Sequence, residues 1–453
     1  MDEALRPWTA VAGAPELLGA LEVLGEGPAL PSVYPVTDLA AGAIGAATLA
    51  AAALWSERGG PAPAARIERT EAAVAFRSER CLRVQGAPPA EVWGPLSGDF
   101  RTAEGAWVRI HANFAHHRDA ALAALGLAGD VDRAAVREAT AHREGVELVE
   151  AIMSRGGAAA SWRSTEAWAD HPQGRAVRDL PLVSLTRLDA SAPAPLGDAD
   201  RPLGGVRVLD LSRVLAGPVC GRFLAAHGAD VLRVSAPHLP TFDQLDLDTG
   251  FGKRSCHLDL RDPADAAALG RLVDGADVFV QAYRPGSLAA RGFGPAELAA
   301  RRPGIVVVEL SAYGRAGPWA PRRGFDSLVQ MASGIVANET AAAGAAEPRS
   351  LPAQALDHGT GYLAALGAIA GLSRRIQEGG SWLVEVSLAR TGRWLDMLGR
   401  VRDGQATPEP DPAPYLAATG PLTHLRPPGL IPASPPRWER PPPAPGEHPP
   451  AWW

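Results

Sequence analysis

Two aspartates occupy the same local setting. Asp38 opens "DLAAGAIGAATLAAAAL", Asp357 opens "DHGTGYLAALGAIAGL", and each has a glycine four residues on, Gly42 and Gly361. An aspartate at the mouth of an apolar helix can do one of two things. Its carboxylate can cap the free N–H groups of the first turn. Alternatively it can stay available as a nucleophile, attacking an activated carbonyl to form a covalent intermediate. Caps are far commoner, so the local sequence by itself favours capping at both positions. At Asp357 the helix macrodipole and the free N–H groups are expected to keep the carboxylate ionised at neutral pH.

Other candidate residues are sparser. Lysine occurs once, at Lys253 in "GKRS", while every other cation of that class is arginine. A lone compact ammonium beside Arg254 raises a functional question, with solvated surface charge as the plain alternative. His111, His116 and His117 lie in "HANFAHH" with no carboxylate or cysteine at metal-ligand spacing, so a solvated hairpin end is expected and no metal. Cys81, Cys220 and Cys256 form no CxxC pair and read as free thiols in a reducing compartment.

The elements that must position these groups divide the chain in three. Over residues 1–200 the Asp38 helix is followed by a strand in "RIERTEAAV" and a hairpin in "FRTAEGAWVRIHANF". Helices in "HHRDAALAALGL", "VDRAAVREATAHREGVELVEAIMSRGG" and "STEAWADHPQ" come next, then a Pro/Ala/Asp-rich linker. Residues 201–402 alternate strand and helix three times from "GVRVLDLSRVLAGPVCGRFLAAHGADVLRV", which predicts an α/β domain on a buried parallel sheet. The loop after its first strand, "LSRVLAGPVCG", lacks GxGxxG, and Ser235 ends the second strand where a ribose-binding acid would stand. Nicotinamide and flavin enzymes are disfavoured on that ground. A shift that places Asp38 on Asp357 also brings Ile67 onto Val386, so the segment after Asp38 reads as a weak duplicate of the one after Asp357. Residues 403–453 are proline-rich and read as an extended or disordered arm.

Five separated stretches agree in type and order with a known family. "RVLAGPVCGRFLAAHGADVLRV", "GKRSCHLDLRDPAD", "ADVFVQAYRPGSLAARGFG", "SAYGRAGPWAPRRGFDSLVQMASG" and the Asp357 segment together resemble the class III CoA-transferases. That family has carnitine, bile-acid and formyl-CoA:oxalate transferases and α-methylacyl-CoA racemases among its relatives. The similarity runs from Gly204 to Leu388. Residues 38 to about 177 are similar to the family's C-terminal half, so the chain resembles the family with its C-terminal half placed first. The resemblance implies a large Rossmann-like α/β domain with a smaller α+β domain. It also implies coenzyme A as acyl carrier, and an acyl-CoA and a carboxylic acid as substrates.

The resemblance further makes Asp357 the covalent carrier, with Asp38 as a retained helix cap and one site per chain. Coenzyme A is expected along Leu215, Lys253, Arg254, Tyr283, Arg284, Pro285, Gly286 and Arg323. The chain departs from the family at Ala282, at Arg291 and in "VQGAPPAEVWGPLSG", which is not glycine-rich. Phe325 in "GFD" stands where the racemases carry a proton-moving histidine. His358 is a conceivable substitute base, although it should point to another face than Asp357. The expected activity is therefore acyl-CoA:carboxylate CoA transfer; racemisation and a non-catalytic CoA-binding subunit are the alternatives.

Composition closes off other classes. With 453 residues, 44 basic against 50 acidic groups and a net charge of −6, no basic field invites nucleic acid. Leu39 to Trp55 is the one membrane candidate, and its alanine content reads as a buried helix instead. The acidic N-terminus lacks signal-peptide order, so a cytoplasmic protein is expected, as a possible homodimer.

Overall fold

The computed structural model describes residues 2–12, 15–88, 91 and 93–452. Near its start β1 (Leu21–Leu24) pairs in parallel with β2 (Ala65–Glu68), and α1 (Val36–Glu57) runs between them. Arg69–Ala75 (α2) follows directly. A small domain comes next: the antiparallel strands β3 (Gly98–Arg101), β4 (Trp107–Ile110) and β5 (Ala159–Ser161) carry α3 (Ala115–Leu125), α4 (Arg133–Ala141) and α5 (Gly145–Ser154). The sequence read one helical stretch over α4 and α5. The chain breaks it at Glu144, whose carboxylate accepts from the Glu147 N–H and caps a new helix.

The large sheet draws on both halves of the chain. Its strands are β6 (Ser184–Arg187), β7 (Arg207–Leu211), β8 (Asp230–Ser235), β9 (Lys253–His257), β10 (Val278–Gln281), β11 (Val306–Ser311) and β12 (Trp382–Ser387). They lie in the order β9–β8–β7–β10–β11–β12–β6, all parallel except β6. The helices that position the site are α6 (Ala216–Ala226), α7 (Asp243–Gly250), α8 (Asp326–Ala332), α9 (Ala355–Glu378) and α10 (Leu388–Met397). Strand side chains alternate between two cores. Val208, Val278 and Val306 join the residues of α6 and α9, while Leu209, Phe279 and Val307 pack against helices Pro263–Val273 and Pro295–Arg301. From β7 the chain steps outward to β9, then returns to the other flank of β7 to begin β10. The C-terminal ends of β7 and β10 are therefore neighbours whose loops diverge, which opens a crevice between them.

Two boundaries differ from those expected. Residues 36–75 share one core with the large sheet, because α1 lies against α9; the separate small-domain core is confined to residues 96–159. The proline-rich tail is ordered rather than free. Leu416–Thr419 (β13) and Leu422–Leu425 (β14) form a hairpin that extends to Arg83–Val84. Beyond it, Arg437 N–H donates to Ala226 O, His448 N–H to Ser255 O and the Trp452 indole to Leu272 O. Segment 36–57 is long and apolar enough to cross a membrane, but 94% of that window is buried inside the molecule.

The duplicate has a structural counterpart. From Val36 to Ala355 the offset is 319 residues, and at that offset α1 overlies α9, β2 overlies the end of β12, and α2 overlies α10. The helix–strand–helix order is thus present twice, and its two long helices pack on one another.

Candidate active site

Asp357 is the third residue of α9. It is not the cap. The anion seat at this helix end belongs to Asp326, the first residue of α8, whose Oδ2 accepts from the N–H groups of Leu356 (2.8 Å) and Asp357 (3.0 Å). Gln330 donates to Asp326 Oδ1 and accepts from Leu351 N–H, which fixes that carboxylate in place. With the N–H groups taken, the Asp357 carboxylate is left in a wall shared by two cavities, one of 340 Å³ and one of 530 Å³.

This arrangement reverses the charge expectation. Burial, then the neighbouring Asp326 and Glu79 carboxylates, hold the Asp357 pKa well above the ordinary aspartate value. Burial likewise pushes Asp326 up to about 6. A helix end contributes about 0.3–1 kcal/mol to an anion, less than one pKa unit at about 1.4 kcal/mol per unit. Desolvation and like charge shift carboxylates by several units, so they prevail. The Asp357 carboxyl is thus biased toward its protonated form.

Glycine brings α9 into place. A Cβ on Gly361 would stand 2.5 Å from Ala216 O and 2.9 Å from Val219, so only glycine lets α9 press on the start of α6. That contact sets Asp357 against the loop after β7. There Val214 has φ 72°, a conformation that a β-branched residue adopts only under constraint. Val214 and Leu215 line both cavities.

The constraint comes from beneath, through Lys253. Its ammonium donates to Asp210 Oδ2 (2.7 Å) and Pro218 O (2.8 Å), and Asp210 in turn accepts from the Ser212 N–H and hydroxyl. Lys253 is 1% exposed and lies outside both cavities. The assignment to coenzyme A phosphates is therefore corrected: the lysine clamps the loop. Arg254 is corrected in the same way. It is 1% exposed, pairs with Asp230 at 2.8 Å and holds Ala451 O of the tail. Burial on both faces of a parallel sheet leaves neither side chain a path to solvent.

The remaining expected residues do meet. Leu215, Tyr283, Arg284, Pro285 and Arg323 line the smaller cavity with Asp357, and Gly286 (φ 82°) makes the turn of the 284–287 loop. This cavity sits in the crevice between β7 and β10. Arg213 and Arg322, which the sequence reading missed, add two more guanidinium groups to its wall. Arg322 pairs with Glu150 at 2.7 Å, and Arg323 donates to Gly156 O, so both tie the wall to the small domain. Among the described residues Arg213, Arg284 and Arg323 have no carboxylate partner within ion-pair distance.

Of the three histidines expected at a solvated hairpin end, His116 is exposed, but His111 and His117 are buried. His111 stacks flat on Phe325, ring centroids 3.8 Å apart and 1° between planes, and His117 is buried beside them. Burial lowers His111 to about 4 and His117 to about 3, so both are neutral rings in an aromatic wall. No His/Cys/Asp/Glu group fit for a metal occurs among the described residues. His358 is buried and directs Nε2 to Glu79 Oε2 at 3.0 Å, on a face other than that of Asp357. Asp38 is also the third residue of its helix rather than a cap. It pairs with Arg69 at 2.8 Å and lines neither cavity. Of "VQGAPPAEVWGPLSG", Glu91 and Trp93 line the larger cavity, while Pro89, Ala90 and Val92 lie outside the described residues.

Residues 203–402 match CoA-transferase family III. The "Acyl-CoA transferase" of Gibberella moniliformis is 32% identical over 313 residues, covering 64% of this chain and 54% of that protein. A Mycobacterium tuberculosis protein named "Probable fatty acyl-CoA transferase" is 31% identical, covering 49% of this chain and 60% of its own length. An acetyl-coenzyme A transferase of Hypoxylon pulicicidum is 36% identical, covering 43% and 34%. This chain spans between a third and three-fifths of the length of these relatives. The family III region holds both loops of the smaller cavity, the Asp326 seat and Asp357.

Proposed function

We propose that the chain transfers coenzyme A between an acyl-CoA and a carboxylic acid through a covalent intermediate on Asp357. One observation carries the reading: Asp357 stands where an arginine-lined cavity at the sheet's switch point meets a second, arginine-poor cavity. Uncompensated guanidinium groups of Arg213, Arg284 and Arg323 suit the phosphates of coenzyme A. The thioester would then reach Asp357 from the arginine side. An ionised Asp357 oxygen attacks the thioester carbonyl, the C–S bond breaks, and the coenzyme A thiolate leaves a mixed anhydride. Return of the thiolate to the aspartyl carbonyl releases the first acid and leaves an aspartyl thioester. An incoming carboxylate attacks that thioester, and a second return of the thiolate to the acyl carbonyl regenerates Asp357. No net proton transfer is needed.

Racemisation finds less support. Phe325 has no proton to exchange, and the Nε2 of His358 is engaged by Glu79. The test is isotope exchange: labelled carboxylic acid should enter the acyl-CoA pool with the native chain and not with Asp357→Asn. Exchange of the α-proton with solvent deuterium, without acid exchange, would point to the isomerase instead.

A further inference from the structure

The two cavities that meet at Asp357 differ in charge. Among the described residues the smaller has Arg213, Arg284, Arg322 and Arg323 in its wall, with Asp357 as its one carboxylate. The larger is lined by Glu79, Glu91, Asp326 and Asp357, with Arg80 as the one cation among the described residues of its wall. Arg80 is already matched, its Nε lying 3.7 Å from Glu79 Oε1. Its apolar surfaces are Trp93, Val214, Leu215, Phe242, Leu245 and Phe325. The uncharged His111, Asn113 and Gln354 also line it. Its unpartnered buried polar atoms are uncharged: Ser327 Oγ, Gln244 Oε1 and Nδ1 of the neutral His111.

Resting on the transfer reading above, we propose that the larger cavity receives the acyl group and selects one without a second carboxylate. Its ligand is the body of an apolar or aromatic monocarboxylic acid, seated against Phe242, Leu245 and Trp93 with its carbonyl at Asp357. A hydroxyl or keto group along that body would find Ser327 and Gln244. A distal carboxylate would enter beside Glu79, Glu91 and Asp326 with no unmatched cation to receive it. Bringing that charge against the buried Glu79 and Asp326 carboxyls, with Glu91 at the exposed edge, costs enough to lower use of such a substrate by at least about a hundredfold.

The experiment uses the full chain with acetate as the common acceptor. It compares kcat/KM for hexanoyl-CoA and phenylacetyl-CoA with that for succinyl-CoA and glutaryl-CoA. A preference of at least about a hundredfold for the uncharged acyl groups is expected. Equal or better use of succinyl-CoA or glutaryl-CoA would overturn the inference and leave the transfer reading intact. Transfer from neither class would overturn both. In Glu79→Gln, which keeps the shape and removes one charge, the preference should narrow about tenfold; an unchanged ratio would remove Glu79 from the selecting wall.

Discussion

Asp38 and Asp357 start from one local sequence pattern and end in different chemistry. Both are third residues of long buried helices, and both helices lead into a strand and a second helix. At Asp38 the neighbour is Arg69, and the carboxylate is neutralised in an ion pair. At Asp357 the neighbours are Asp326 and Glu79, the N–H groups are taken, and the pKa rises. The helix end therefore does not decide the role of its aspartate. What decides it is the charge that the rest of the fold brings to the same spot.

The comparison can be broken most forcefully by exchanging one oxygen for nitrogen in each copy. Asp357→Asn should lower transfer by at least about 10⁴-fold, in the range found when a covalent nucleophile is removed, while Asp38→Asn should leave turnover within about twofold. Equal losses in the two variants would put the second copy in the mechanism. Next in size is the clamp under Val214. Lys253→Met leaves Asp210 buried and unmatched, so urea unfolding should report a loss of about 3–5 kcal/mol. A variant that is fully stable but has lost affinity for coenzyme A would restore Lys253 to the phosphates.

Smaller effects sharpen the electrostatics. Arg284 is exposed, so Arg284→Ala should raise the KM for acyl-CoA about tenfold with unfolding unchanged, and the effect should weaken with salt. The pH profile should follow the ionisation of Asp357, which the neighbouring Asp326 opposes. A raised carboxyl pKa keeps Asp357 protonated in mild acid, so the first half-reaction should gain rate as pH rises beyond the ordinary aspartate range. Asp326→Asn can still accept from the helix N–H groups but removes the like charge. It should lower the pKa of Asp357 and move that limb to lower pH. A limb that stays in place would mean that burial and Glu79 set the shift without Asp326. The smallest effect is expected for Asp38→Asn on stability, about 0–1 kcal/mol for a partly exposed pair.

Much of this was legible in the residues, and the reasons for the rest are physical. Alternating strands and helices from Gly205 gave the parallel sheet, and the Asp–x–x–x–Gly pattern singled out α9; Gly361 proved to be the packing contact that seats it. Strand order cannot be read from period and composition, so the crevice between β7 and β10, with Arg213 and Arg322 in its wall, was not visible. Lys253 and Arg254 look like surface charge or ligand contacts in a sequence. On a sheet buried on both faces, alternation does not say which way they point. His111 is buried only because the small domain sets it flat on Phe325, a contact between residues more than two hundred positions apart. Asp326 was not legible for the same reason: it reaches another helix's N–H groups only through tertiary packing.

The account rests on a bond between one side chain and an activated acyl group. Incubating the chain with hexanoyl-CoA, quenching with hydroxylamine and mapping the peptides by mass spectrometry tests it most directly. A hydroxamate on the peptide that contains Asp357, absent in Asp357→Asn, is the predicted result. Transfer that proceeds with no modification there, or with modification at Asp38, would contradict it.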